Sequence, residues 1–287
     1  MEAIIFALIS YFGWGIGSVF STISARKLGG YSTTFWMGLS GLLFLSLYAP
    51  FVLNDLNNLT MPVLFINLIV GVFGWIGAIA GYKSLTVTNA ALAITIQSAY
   101  PILAVILSLI IFKEHITPQQ TVAILIIFSG LIMMSLNFKD LIRKQPIVSR
   151  GILLSLVTFI CFGFYAALIK IPVGEIGWFW PVYINYTLLP LLLIYARLRK
   201  INLVGIISKK AVLPVILTVI LFRIAEFSYN FAISKGLISI VAPIAGANST
   251  LFVVLAFFIF KDPITRQQIL GIVTTLIGIV LLSIFSV

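Results

Sequence analysis

Ile111 to Gln120 read IFKEHITPQQ and Ile259 to Gln268 read IFKDPITRQQ, identical at seven of ten positions and 148 residues apart in a chain of 287. A repeat at about half the chain length points to duplication of a whole unit. The register continues without a gap: Gly13-Trp14-Gly15 falls on Cys161-Phe162-Gly163, Ser84-Leu85 on Ala232-Ile233, and Gly130-Leu131-Ile132 on Gly278-Ile279-Val280. Residues 1–138 and 151–287 are read as the two copies, joined by a basic linker at 139–150.

Composition sets the solvent. With 61% hydrophobic residues, 9% charged residues and a mean hydropathy of +1.20, the chain has too little polar surface to cover a globule in water. It reads as an all-α integral membrane protein. A helix needs roughly 20 apolar residues to cross the hydrocarbon layer, and ten runs of about that length emerge. They cover 3–23, 32–53, 63–82, 90–112 and 119–138, then 151–169, 178–195, 211–232, 238–260 and 267–285. Glu2 stands where a signal peptide has its basic region, so the first run reads as a span.

Five spans per copy make the second copy enter the bilayer from the opposite side, which predicts two inverted five-helix repeats. Two halves related by a pseudo-twofold axis in the membrane plane can exchange conformations and expose one midplane site to either side. Transport by alternating access is therefore the leading expectation.

Lys and Arg divide unevenly between the two ends of the spans. One side carries Arg26, Lys27, Lys83, Lys139, Arg143, Lys144, Arg150, Arg197, Arg199, Lys200, Lys209, Lys210, Lys261 and Arg266; the other has Lys113, Lys170 and Lys235. The positive-inside rule puts the first set in the cytoplasm of a cell membrane and both termini outside. The net charge of +11 sits in short juxtamembrane loops, where anionic lipid headgroups are its natural partners and nucleic acid is not. Cys161 and His115 are each single in the chain, so neither a disulfide within the chain nor a metal or triad cluster can be assembled from them. Gly77 to Ser84 fails as a Walker A loop, because Tyr82 separates Gly from Lys and no strand precedes it. No cofactor and no enzymatic role are expected.

The eighth span holds Arg223 and Glu226, an i,i+3 pair near its centre. Asn230 and Ser234 continue the same helical stripe. Ionisable groups at that depth are costly and read as functional. Arg223 is assigned to an anionic group on a solute, and Glu226 to orienting Arg223, binding an ammonium or carrying a proton. A structural ion pair between helices is the plainer alternative. The first repeat has Trp75, Ala78 and Tyr82 at the matching positions, so the halves line any cavity differently. Gln97, Tyr100 and Pro101 in the fourth span face Pro243, Gly246, Asn248 and Ser249 in the ninth as two halves of a pocket or as two kinks. Trp14 and Tyr165 lie on inward faces of spans one and six, as stacking partners, gates or packing. Gly13-x-x-x-Gly17 and Gly77-x-x-x-Gly81 read as close helix packing.

Ser84-Leu85, Ala90-Ala91-Leu92, Tyr100-Pro101 and Phe112-Lys113-Glu114-His115-Ile116-Thr117 resemble the end of an EamA-type repeat of the drug/metabolite transporter superfamily. The second copy answers with Phe260-Lys261-Asp262-Pro263-Ile264-Thr265, Gly271 and Gly278, so the resemblance spans both halves. His115 and Asp262-Pro263 depart from the usual turn. The resemblance implies a ten-helix bundle in which spans one to four and six to nine enclose the pathway. Spans five and ten would lie outside it, in packing or in a homodimer contact. Such families move amino acids and other metabolites, or exchange sugar phosphates and nucleotide sugars. The expected function is secondary transport of a small polar organic solute, an amino acid or related metabolite, with proton coupling through Glu226. A sugar-phosphate or nucleotide-sugar antiporter and a solute channel are the alternatives.

Overall fold

A computed structural model of the protein describes residues 1–135, 149–207 and 209–286. The linker at 139–150, with Lys139, Arg143 and Lys144, lies outside the described residues except for its last two positions. The first repeat comprises α1 (Glu2–Leu28), α2 (Gly30–Tyr48) followed by a 3₁₀ segment (Ala49–Asn58), α3 (Met61–Ser84), α4 (Ala90–Gln97), α5 (Pro101–Ile111) and α6 (Pro118–Ser135). The second comprises α7 (Arg150–Leu168), α8 (Lys170–Ile176), α9 (Trp180–Tyr186), α10 (Leu189–Leu198), α11 (Val212–Lys235), α12 (Ile238–Gly246), α13 (Asn248–Phe260) and α14 (Arg266–Ile284). Among the described residues nine segments are long and apolar enough to cross a membrane, and α6 adds a shorter one.

Three expected spans are broken helices. The fourth divides into α4 and α5 because Pro101 has no N–H to give the Gln97 carbonyl, and the chain before it tightens into a turn in which the Ala99 and Tyr100 amides bond the carbonyls three residues back. The ninth divides into α12 and α13 at Ala247, four residues after Pro243. These interruptions coincide under the 148-residue register, Ala99 falling on Ala247. The seventh, read as continuous over 178–195, divides into α9 and α10 with Pro190 in the first turn of α10. The second span changes from α-helix to 3₁₀ at Ala49, inside the expected 32–53, and continues to Asn58.

Packing follows the duplication. α1 packs on α11 and α3 on α7, so spans one and eight repeat the pairing of spans six and three. α6 packs on α14, and α4–α5 cross α12–α13, each a pairing of equivalent spans. This is the contact pattern of a pseudo-twofold. The small-residue motifs serve it: a Cβ at Gly13 would lie 2.8 Å from that of Ala225, and one at Gly77 would lie 2.7 Å from the Phe162 ring.

The molecule is apolar outside and partly polar within, as lipid demands. On α1, Ile5, Ile9, Phe12 and Ile16 face outward at helical spacing, while Ser10, Ser18, Ser21, Thr22 and Ser24 are buried. Ser10 Oγ donates to the Phe6 and Ala225 carbonyls at 3.0 and 2.8 Å, so its burial leaves no unmet donor. The largest cluster of buried apolar residues, with Ala7, Tyr11, Ala166, Ile169, Tyr229 and Ile238, fills the end away from the basic loops.

Candidate functional site

A cavity of about 220 Å³ lies between the repeats. Span one brings Trp14, Ser18 and Ser21; α3 brings Trp75, Ala78 and Tyr82; α11 brings Phe222, Arg223, Glu226 and Tyr229. The helix breaks supply Gln97, Ser98, Tyr100 and Asn248, and the remaining wall includes Tyr165, Asn185 and Tyr186. Eight of the nine residues singled out in the sequence thus meet in one place: Arg223, Glu226, Gln97, Tyr100, Asn248, Trp14, Tyr82 and Tyr165. Asn230 does not join them. It is buried away from the cavity, and its Nδ2 donates to the Trp178 carbonyl at 3.0 Å. Ser234, one turn further, is exposed and bonds the Phe231 carbonyl. The α11 stripe changes from cavity wall to packing within two turns.

Arg223 and Glu226 form a salt bridge on one face of α11. Tyr165 donates its hydroxyl hydrogen bond to Glu226 Oε1. The Arg223 guanidinium lies 4.5 Å from the centroid of the Tyr186 ring, a cation–π arrangement that holds a charge in a place poor in water. Arg223 Nε has no hydrogen-bond partner among the described residues. A paired but incompletely satisfied guanidinium in a cavity keeps donor capacity for an incoming carboxylate.

The crossing of the two broken spans forms the floor. Ser98 Oγ donates to Asn248 Oδ1 at 3.1 Å, and Asn248 Nδ2 donates to the Ala245 carbonyl at 3.0 Å. Gln97 Nε2 donates to Ser84 Oγ at 2.8 Å. Gly246 permits the crossing, since a Cβ there would sit 2.0 Å from Pro101 Cγ. The Tyr100 hydroxyl is buried without a hydrogen-bond partner among the described residues. Trp14 packs edge-on to Tyr100, with ring centroids 6.4 Å apart, and tilted against Tyr229 at 5.6 Å.

The end away from the basic loops is closed twice over. Trp178, Phe179, Tyr183, Tyr48 and Phe227 form an aromatic layer across spans two, seven and eight. Beside it, Glu114 of the Phe112-Lys113-Glu114 turn binds across the repeats. Its Oε1 accepts from Lys170 Nζ at 2.7 Å and from the Ile238 amide at 3.0 Å. Its Oε2 accepts from the Ser239 amide at 2.9 Å and Oγ at 2.8 Å. A carboxylate on the first amides of α12 also meets the positive end of that helix. Burial alone would raise the pKa of Glu114, but the Lys170 ammonium and the Ser239 and Ile238 donors outweigh it and hold the carboxyl below its ordinary value.

Sequence reasoning missed Tyr186, Asn185 and Glu114. Glu114 stood in the quoted repeat motif and was read there only as a turn signal. Asn185 was legible as a lone carboxamide in an apolar run, and Tyr186 had no signal to separate it from an interfacial aromatic.

The EamA-like transporter family matches residues 1–136 and 149–284. An uncharacterized protein of Methanocaldococcus jannaschii is 33% identical over 87 residues, which cover 30% of this chain and 64% of that protein. The match spans a little under two thirds of that relative's length. A solved crystal structure of a protein superposes with a TM-score of 0.71 at 15% identity, covering 99% of this chain and 98% of the other. That likeness extends the shared fold to the whole chain.

Proposed function

The chain belongs to the EamA-like transporter family, and on that premise we propose that it carries a small zwitterionic metabolite, an amino acid or close relative, by alternating access. The observation that supports the cargo class is the Arg223–Glu226 pair in a cavity walled in part by aromatic rings. A carboxylate on the solute would take the guanidinium and an ammonium the carboxylate, each protein charge exchanging one partner for another. Charge then stays balanced in a medium where an unpaired ion is expensive. Arg223 is the one cation among the described residues lining the cavity, and Glu226 already neutralises it. A dianionic sugar phosphate would need at least one further cation, so the zwitterion is the better fit.

Trp14, Tyr82, Tyr100, Tyr165, Gln97 and Asn248 surround the solute in this reading, with Tyr165 released from Glu226 when the ammonium binds. Asn230 acts by fixing the Trp178 turn. The closed aromatic and Glu114 end lies opposite the basic loops. If those loops are cytoplasmic, the cavity belongs to an inward-facing state. Glu226 is the group through which a proton would be exchanged.

A thermal-shift screen of metabolites against the purified protein tests the cargo class, because a ligand that binds the folded state raises its midpoint by mass action. Neutral amino acids should stabilise the wild type and lose the effect in Arg223→Ala. Stabilisation confined to phosphate esters would overturn the reading.

A further inference from the structure

Asn185 stands apart from the other buried carboxamides. It is 6% exposed, lines the cavity, and neither Oδ1 nor Nδ2 has a hydrogen-bond partner. Asn67, Gln97, Gln120, Asn230 and Asn248 each donate to a carbonyl or hydroxyl, so among the described residues Asn185 alone is buried with both amide atoms unmet. A primary amide withdrawn from water without partners costs stability, and the fold nevertheless holds it firmly. The Trp75 indole Nε1 donates to the Asn185 backbone carbonyl at 2.8 Å, tying the end of α9 to α3 across the repeats. Gly71 on α3 keeps the amide's space open, since a Cβ there would lie 2.6 Å from Asn185 Oδ1. The next residue, Tyr186, carries the ring against Arg223. A donor–acceptor pair therefore sits beside the charged pair.

We propose that Asn185 reads a neutral hydrogen-bonding group on the solute, so that the cargo carries a carboxamide or hydroxyl in addition to its zwitterionic head. The inference rests on the function proposed above and narrows it. Selectivity follows from the unmet amide: a solute with the matching group satisfies both atoms, whereas an apolar isostere leaves them buried and unpaired.

Matched amino-acid pairs of similar shape test it, asparagine against leucine and threonine against valine, as competitors of binding and of flux in reconstituted vesicles. The wild type should favour the polar member of at least one pair by about tenfold or more. Asn185→Leu should abolish or reverse that preference while binding through Arg223 persists. Gly71→Ala perturbs the same amide from another helix and should shrink the ratio as well, which covers the case in which Asn185→Leu fails to fold. No polar preference in the wild type, or a preference retained in both variants, overturns the assignment of Asn185. Absence of binding by any of the four amino acids, with Arg223→Ala indistinguishable from wild type, overturns the zwitterion reading instead.

Discussion

Arg223 and Glu226 depend on each other more than on anything else nearby. Removing one partner of a buried ion pair leaves an uncompensated charge, at a cost of about 3 to 5 kcal/mol, whereas replacing both by apolar residues is often close to neutral. Arg223→Met should therefore lower the thermal midpoint in detergent markedly, and Arg223→Met with Glu226→Leu should recover most of the loss. Equal destabilisation by both would show that the pair is solvated and weakly coupled. Glu226 also has a distinct kinetic test. Glu226→Gln keeps size but can neither exchange a proton nor pair with the ammonium; solute affinity should fall, and the exchange that remains should lose its response to an imposed pH gradient. An unchanged response removes Glu226 as the proton carrier. The pair itself was legible in the sequence, because charges are rare in an apolar run and spacing alone puts them on one helix face. Asn230 obeyed the same spacing but packs elsewhere, since angular position says nothing about how far a cavity extends along a helix.

Helix interruption gives the site its shape. Where α4–α5 and α12–α13 cross, Gly246 and Pro101 touch so closely that a single methyl has nowhere to go. Gly246→Ala should cost about 1 to 3 kcal/mol through overpacking and weaken solute binding, read as a lowered midpoint and a raised Kd; wild-type values for both would show that the crossing yields easily. Two of the breaks were visible as prolines, Pro101 and Pro243, in the equivalent fourth and ninth spans. The third was not, because Pro190 near a span's middle is equally compatible with a kink, and only packing of α9 against α3 resolves it. The Glu114 turn is the other device at this scale. Its pKa is depressed in the folded protein, so its contribution to stability is fully present above the unfolded carboxylate value of about 4.3 and is lost as pH falls through the lower folded value. Between pH 5 and 8 its hold is constant. Glu114→Gln removes the negative charge that holds Lys170 and the α12 amides and should expose the closed end, measured as faster labelling of a cysteine placed at Leu237, with no change in the pH profile near neutrality. Labelling at the wild-type rate would mean that the aromatic layer alone closes that end.

The whole molecule is two copies of one unit whose equivalent parts are in different states. Glu114 engages the start of α12, while its counterpart Asp262 leaves Oδ2 buried without a hydrogen-bond partner among the described residues. Exchange of the repeats' roles would bring Asp262 to Ala90 and Ala91, the positions matching Ile238 and Ser239. That asymmetry is what a carrier caught at one end of its cycle should display. Duplication, span count and the membrane environment were all legible in the sequence, since each follows from composition and register. Which end is closed was not, because it depends on long-range contacts such as Trp178 with Phe227 that no local pattern encodes. The central claim is that one site, centred on Arg223, serves both sides in turn. Counterflow in proteoliposomes measures this directly: uptake of a labelled neutral amino acid should saturate, accelerate when unlabelled solute is trapped inside, and vanish in Arg223→Ala. Uptake that rises linearly with concentration, ignores solute on the far side and survives Arg223→Ala would contradict the account.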